Sequence, residues 1–251
     1  MSFFERHKPI LTIFIAILLL VAIGGVFYFL RQQNEEDDLS SVQTVVEQTA
    51  TQFAEALKSG DMKSAKKFCS KEGADQLVLS SMDADVYKKT LLEGLSVEEG
   101  YLPDDSKVYL NSLLDTLQAK AVTDTSFNAS KMEVEKKTEE GYLVTLPMTI
   151  TGCGSFNAID FSSEISFADH AMVDFANANQ EALMNHNDAF GEEGVRSLLA
   201  QQAYNNLFST MQAKADAYEP TARDYTLTFL VTKDDSGEFT SAKIVAAEEN
   251  F

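Results

Sequence analysis

The feature that most constrains this chain is Ile10–Leu30, a run of 21 residues without a charged side chain. A helix of this length rises about 30 Å at 1.5 Å per residue, which matches the hydrocarbon core of a bilayer. Arg6 and Lys8 precede the run and Arg31 follows it, and this bias favours a cytoplasmic N-terminus. The sequence therefore predicts a tail at 1–9 inside the cell and a transmembrane anchor at 10–30. The protein is expected to be a single-pass protein of the cell membrane, with the rest of the chain outside.

A cleaved signal peptide is the competing interpretation of the same segment. Ala22 and Gly24 are small residues that suit a cleavage site, but the apolar run continues past them to Leu30. The apolar region of a signal peptide usually has about 7–15 residues, which is shorter than this run. No cysteine follows before Cys69, which excludes lipid attachment at a cysteine next to the membrane. The uncleaved anchor is the favoured interpretation.

The composition is that of a folded and strongly acidic protein. Hydrophobic residues make up 45% of the chain, and 39 Asp and Glu against 20 Lys and Arg give a net charge of -19. Nucleic acid is excluded as a partner, because phosphate binding requires a basic surface. Two cysteines and three histidines argue against a disulfide-dense scaffold and against a multi-cysteine or His-rich metal site. We therefore expect no metal and no cofactor.

Beyond the anchor, the sequence predicts an acidic stalk at 31–38 and an extracellular domain at 39–251. Within that domain the periodicity of apolar residues changes twice between the helical and the strand pattern. The predicted elements are helices at 40–121, a hairpin at 125–152, a helical insertion at 160–218 and a hairpin at 222–248. This order is typical of an α+β fold and not of βαβ alternation, and the two hairpins are expected to pair into one antiparallel sheet.

Local signals place several boundaries of these elements. A first helix is expected to begin near Ser40, whose spacing to Gln43 fits a capping box, and to end at Gly60. Asp61 is the expected N-cap of the second helix. Pro147 lacks an N–H group, so one side of its strand is expected to lie at a sheet edge or a bulge. The insertion is expected to consist of two helices separated by the breaker 191–194.

The segment Phe53–Ser70, with the sequence FAEALKSGDMKSAKKFCS, resembles the opening of the nuclear-transport-factor-two-like superfamily. In that superfamily a small-Gly-Asp turn separates the first helix from a shorter second one. The resemblance implies a cystatin-like α+β fold, in which helices pack on a curved antiparallel sheet and surround an apolar cavity. An anchor, an acidic stalk and such a domain together also resemble envelope proteins of Gram-positive bacteria.

Enzymes of that superfamily use an Asp or a His base inside the cavity, and the resemblance makes Asp169, His170, His186 and Asp188 the candidates here. His170 and His186 are 16 positions apart, not the three or four that place two ligands on one helix face. Both belong to the predicted insertion. Solvated surface histidines are the favoured interpretation of both.

Cys69 and Cys153 form the other notable pair. Both are expected outside the membrane, where disulfides persist. A bridge requires Cα atoms within about 7 Å of each other. Two buried thiols that act as small apolar residues are the alternative. The sequence leaves this choice open.

Other patterns that suggest chemistry have simpler interpretations. Ser155 is not part of a nucleophile elbow, and a turn at a strand end is the better interpretation. Pairs of neighbouring aspartates at 83/85, 104/105 and 234/235 lack the spacing of a calcium loop and are expected to be helix caps and loop charges. Asn128 begins a formal glycosylation sequon, which has meaning only in a eukaryotic secretory pathway.

Three classes of function are compatible with these observations. The first is a non-catalytic envelope domain that binds an envelope protein, a cell-wall component or a small apolar ligand, or acts as a spacer. The second is an isomerase, dehydratase or hydrolase with an interior acid or base. The third is a membrane-tethered sensor, for which the nine residues before the span leave little room for a signalling module. The first is the favoured hypothesis.

Overall fold

The computed structural model describes residues 38–250. The predicted tail at 1–9, the predicted anchor at 10–30 and all of the predicted stalk except Asp38 lie outside the described residues. Among the residues that are described, no helix is both long and apolar enough to cross a membrane.

Five helices precede the sheet, and the boundaries predicted for the first two are confirmed with one exception. They are α1 at 38–58, α2 Met62–Lys67, α3 Lys71–Gln76, α4 Ala84–Gly94 and α5 Asp104–Ala121. Gly60 adopts a φ of 74°, which closes α1 in the left-handed region. The Asp61 carboxylate accepts a hydrogen bond of 2.9 Å from the Ser64 N–H and caps α2 as expected.

The exception is the start of α1. Residue 38 is already helical, so the prediction of an N-cap at Ser40 is wrong, and Asp38 does not belong to an extended stalk. The Asp38 carboxylate lies 3.4 Å from Lys233 Nζ, which ties the beginning of α1 to the sheet.

Five antiparallel strands form one sheet, and the expected pairing of the two hairpins is confirmed. The strands are β1 Asp124–Phe127, β2 Glu133–Lys137, β3 Gly141–Gly152, β4 Thr221–Lys233 and β5 Phe239–Asn250. β3 and β4 join the hairpins in the centre, and β5 lies beyond β4. β1 and β2 both pair with β3 on its other side.

The interruption between β1 and β2 explains the position of Pro147. A 3-10 turn at Ala129–Lys131 separates the two short strands, and the Asn128 side chain begins it by accepting the Ser130 N–H. β2 pairs with β3 as far as Thr145, and β1 pairs with it again from Met148. Pro147 therefore faces a gap where no strand needs its missing N–H, as predicted.

The helical insertion follows β3. It consists of α6 Ser162–Ala178 and α7 Gln180–Ala217. Gly191, with φ 72° and ψ -178°, breaks α7 into two segments, which confirms the predicted breaker but narrows it to a single residue. A second break at Asn179 was not expected; there the side-chain amide donates a hydrogen bond of 2.8 Å to the Phe175 carbonyl and ends α6.

Candidate functional site

The inner face of the sheet, on which the helices pack, is filled with buried side chains. Alternate residues of the three long strands point into the helical layer, and all are less than a tenth exposed. They are Tyr142, Val144, Leu146, Met148, Ile150, Tyr225, Leu227, Phe229, Val231, Phe239, Ala242, Ile244 and Ala247. None of these residues carries a carboxylate or an imidazole. The inner face therefore presents apolar packing and none of the acid or base candidates.

The histidine and aspartate candidates lie on the insertion and not on this face. His170 is exposed on α6, and its Nδ1 lies 3.2 Å from the Ser166 carbonyl oxygen one turn earlier. His186 is on α7, where its ring packs against Phe190 with 4.6 Å between centroids. Asp169 is the residue before His170 on α6, and Asp188 is exposed on α7. Within the described part of the chain, no group of three His, Cys, Asp or Glu side chains is arranged to hold a metal ion.

Both cysteines are free and buried in the structure. Cys69 forms an isolated parallel bridge with Ile244 at the β5 edge, whereas Cys153 follows the end of β3, and β4 lies between those two strands. The disulfide is therefore not formed in this structure, and the alternative with two buried thiols is the one observed. Burial raises the pKa of Cys69 to about 12 and also raises the pKa of Cys153, so both thiols are poor nucleophiles near neutral pH.

The remaining sequence candidates are caps and turns, as predicted. The Ser155 hydroxyl accepts the Asn157 N–H at 3.2 Å and begins a 3-10 turn. The Asp83 carboxylate accepts the N–H groups of Asp85 and Val86 and caps α4. The Asp234 carboxylate accepts the Ser236 N–H in the β4–β5 turn. Each of these side chains satisfies backbone donors that a turn leaves unpaired.

A groove of about 520 Å³ lies between the α1–α2 turn, the start of α4 and α5. Lys66 pairs with Asp83 across it, with 3.2 Å between Nζ and Oδ2. Hydrogen bonds from Ser64 lower the pKa of Asp61, another residue of this groove, so its carboxylate is a weak base at neutral pH. The Gln118 amide nitrogen is buried beside Gly60 without a partner among the described residues. The groove is polar and of mixed charge, and it lacks a nucleophile paired with a base.

A second groove of about 430 Å³ lies over a polar row that crosses β1, β3, β4 and β5. The row is formed by Ser126, Thr149, Asp224 and Asn250, which are aligned by the strand register. The Thr149 hydroxyl donates a hydrogen bond of 2.6 Å to the Asp224 carboxylate, so the two polar groups satisfy each other. This arrangement stabilises the end of the sheet and offers no group poised for chemistry.

The insertion carries five of the ten large apolar side chains that are exposed among the described residues. We call residues 162–190, which comprise α6 and the first segment of α7, the arm. No residue of the arm with a described burial is buried. Phe167, Met184 and Phe190 are 61%, 69% and 68% exposed, and Ile165 and Val173 are also exposed. Exposed apolar residues are ordinary when they are scattered singly, whereas several along one short stretch of chain are typical of an interaction surface.

The second segment of α7, in contrast to the arm, has buried side chains. Leu207, Phe208, Met211 and Ala215 are buried in the core. The Ser106 hydroxyl of α5 is buried as well and donates a hydrogen bond of 2.7 Å to the Asn205 side chain. We call this second segment, 192–217, the base of the insertion; unlike the arm, it contributes buried side chains to the core.

An ion pair attaches the arm to this base. Lys214 Nζ lies 2.9 Å from the Glu164 carboxylate and also donates to the Ser163 hydroxyl. Burial by itself raises the pKa of Glu164, but the hydrogen bonds from Lys214 and Ser163 outweigh it and lower the net pKa. Beside this pair, a groove of about 370 Å³ between α4, α6 and α7 is lined by small and apolar residues, including Ile165, Tyr204 and Leu207.

The sequence predicts the insertion but not the exposure of its apolar side chains. The one available signal was its charge, because 162–190 contains five Asp and Glu and no Lys or Arg.

A comparison with protein-family models, curated proteins and solved structures finds no match for this chain.

Proposed function

We propose that this protein is a membrane-tethered, non-catalytic binding domain of the bacterial cell envelope, and that the arm is its binding element. The observation that carries the proposal is the exposure of Phe167, Met184 and Phe190 on one insertion. Burying large aromatic and methionine side chains supplies much of the affinity of protein interfaces. Covering these three side chains with a partner removes apolar surface from water, which lowers the free energy of the complex.

The membrane part of the proposal rests on the charge-free run Ile10–Leu30. We expect the full chain to be extracted from membranes by detergent and not by high salt or alkaline buffer. N-terminal sequencing of the extracted protein is expected to begin at or near Met1. Recovery in the aqueous fraction, with a new N-terminus near residue 25, would instead identify the segment as a signal peptide.

Membership of the nuclear-transport-factor-two-like superfamily remains part of the proposal. It is supported by the turn at Gly60 and Asp61 between a long and a short helix, and by helices packed on an antiparallel sheet. The enzymatic alternative of that superfamily requires an acid or base inside the sheet. The apolar side chains of β3 and β4 occupy that space here, which favours a binding function.

Photo-cross-linking in intact cells tests the arm as the binding element. A benzophenone side chain is placed in the full chain at Phe167 or Phe190, and at Val86 of α4 as the control, which is also exposed. We expect a discrete adduct of higher mass from both arm positions and none from Val86. Adducts from Val86 alone, or from no position, would contradict the proposal.

A further inference from the structure

We propose that the arm binds a cationic amphipathic helix of another protein. This inference rests on the proposed function, since it assigns the chemistry of the partner to the surface identified above. It is carried by the way in which acidic and apolar side chains alternate on the arm.

The arm has a strongly negative and largely unneutralised surface. Of its five acidic residues, Glu164 is paired with Lys214. Asp174, Glu181 and Asp188 are exposed, and none of the three forms an ion pair with any residue between 38 and 250. No Lys or Arg lies within the arm itself. A cationic partner gains from these three carboxylates, because they attract it from a distance and fix its register.

The spacing of the charges specifies the shape of the partner. Glu181, Met184 and Asp188 lie at positions i, i+3 and i+7 of α7, so they form one strip on one face of the helix. Each is exposed, which places an apolar side chain between two carboxylates. The complementary surface is a leucine or similar residue flanked by lysine or arginine one turn before and after it. An amphipathic helix with a basic polar face has this pattern.

An apolar groove lies at the base of the arm. The residues that line it carry no charge; they are Gly94, Leu95, Ile165, Ala168, Ala200, Ala203, Tyr204 and Leu207. Small residues on α7 leave room there for one large aliphatic side chain of a bound helix. The exposed Ile165 belongs both to the groove and to the arm.

A second copy of this chain is a poorer occupant than a basic partner. Two arms in contact would place five acidic residues of each copy against each other with no Lys or Arg on either arm. Like charges that face each other across an interface oppose association. Self-association is therefore an outcome that the experiment must distinguish.

The test is the binding of a defined peptide to the full chain in nonionic detergent, with empty micelles subtracted. The probe is a fluorescein-labelled 18-residue helical peptide of Lys and Leu, and a Glu and Leu peptide of the same pattern is its control. Fluorescence anisotropy reports binding, and sedimentation reports the oligomeric state. We expect the Lys and Leu peptide to bind, the Glu and Leu peptide not to bind, and the affinity to fall with salt.

Two arm variants and two matched controls separate charge from apolar contact. The triple substitution Asp174→Asn, Glu181→Gln and Asp188→Asn is expected to weaken binding roughly tenfold, and Met184→Ser with Phe190→Ser to weaken it by a similar factor. The charge control neutralises three exposed acids of the β4–β5 hairpin, at 235, 238 and 248, and the apolar control is Val86→Ser. Both controls are expected to leave the affinity unchanged.

Several results would overturn the inference. They are absence of peptide binding, equal binding of the Glu and Leu peptide, equal loss in the hairpin control, and self-association of the chain without peptide binding. If the cross-link at Phe190 appears and the peptide fails to bind, the partner chemistry is wrong but the arm is still the binding element. If the peptide fails to bind and no cross-link forms at Phe167 or Phe190, the proposed function fails as well.

Discussion

Burial determines the reactivity of both thiols. Cys153 is fully buried and Cys69 nearly so, and burial raises the pKa of each. We predict that iodoacetamide leaves both unmodified in the native chain at neutral pH and modifies both after denaturation without a reductant. Intact-mass spectrometry checks this. A protein that stays unmodified after denaturation and is about two daltons lighter than its sequence mass would show the disulfide instead.

Gly73 allows α3 to lie directly on the edge of the sheet. A Cβ atom at this position would lie 2.4 Å from the carbonyl oxygen of Ile244, which accepts the Ser70 N–H at 2.8 Å. We predict that Gly73→Ala lowers the free energy of unfolding by about 1–3 kcal/mol, because α3 must move away from β5. Chemical denaturation of the full chain measures the change.

The matched control is Gly94→Ala at the end of α4. A Cβ atom there has nothing within 4 Å, and the helix gains a residue of higher propensity. We expect this variant to be at least as stable as the unchanged chain. Equal losses at both positions would show that the contact between α3 and β5 is not the cause.

Residues whose role is local were predictable from the sequence, and residues whose role depends on distant contacts were not. Asp61 caps α2 and Gly60 ends α1 because of the few residues next to them. The state of Cys69 depends on β5, which is about 175 positions further along the chain. The spacing of residues in the sequence holds no information on the distance between the two cysteines in space. The sequence therefore could not decide between a disulfide and two free thiols.

At the scale of single elements, the Glu164–Lys214 pair makes the attachment of the arm depend on pH. Since the folded pKa of Glu164 lies below its ordinary value of 4.5, the pair contributes stability above pH 4.5 and loses it as the pH falls through the folded pKa. We predict that Glu164→Gln lowers stability at pH 7 by about 0.5–1 kcal/mol and that this difference shrinks on acidification.

Denaturation midpoints of both chains between pH 7 and pH 3 measure this dependence. Glu181→Gln is the control, because Glu181 belongs to the same arm, is exposed and forms no ion pair with a described residue. Its midpoint is expected to follow that of the unchanged chain at every pH. A pH-independent loss in Glu164→Gln would mean that the carboxylate acts through packing and not through its charge.

Gly191 produces the kink of α7. Its φ of 72° with ψ near 180° is accessible to glycine and strained for other residues, although a Cβ atom there has nothing within 4 Å. We predict that Gly191→Ala lowers the free energy of unfolding by about 1–3 kcal/mol or straightens α7. Gly100 has an ordinary φ and open space for a Cβ atom, so Gly100→Ala is expected to change the stability little. Far-UV circular dichroism and denaturation together detect either result for Gly191→Ala, and unchanged spectra and stability would contradict the assigned strain.

The elements of the arm were predictable, but their exposure was not. Apolar residues such as Phe167, Met184 and Phe190 normally indicate burial, so the sequence by itself suggests a packed insertion. Whether a helix is covered depends on what the rest of the chain can place against it. Here the side chains of α5 contact the second segment of α7, as Ser106 does with Asn205.

For the whole molecule, the alternation of residues in β3 and β4 predicted the sheet, and the order of elements predicted the α+β class. The pairing of β3 with β4 also followed, because two hairpins that each expose an apolar face are stabilised by joining. What the sequence could not provide is the packing of the inner face. Whether Tyr142, Phe229 and their neighbours fill the space or surround a cavity depends on distances of a few ångströms.

The central claim is that the arm, and not the interior of the sheet, is the binding surface of this molecule. Hydrogen–deuterium exchange of the full chain, with and without the Lys and Leu peptide, tests it most directly. We predict slower exchange within 162–190 when the peptide is present and no change in β3 and β4, whose amides are already protected by the sheet. Unchanged exchange within 162–190 at a saturating concentration of the peptide would contradict the account.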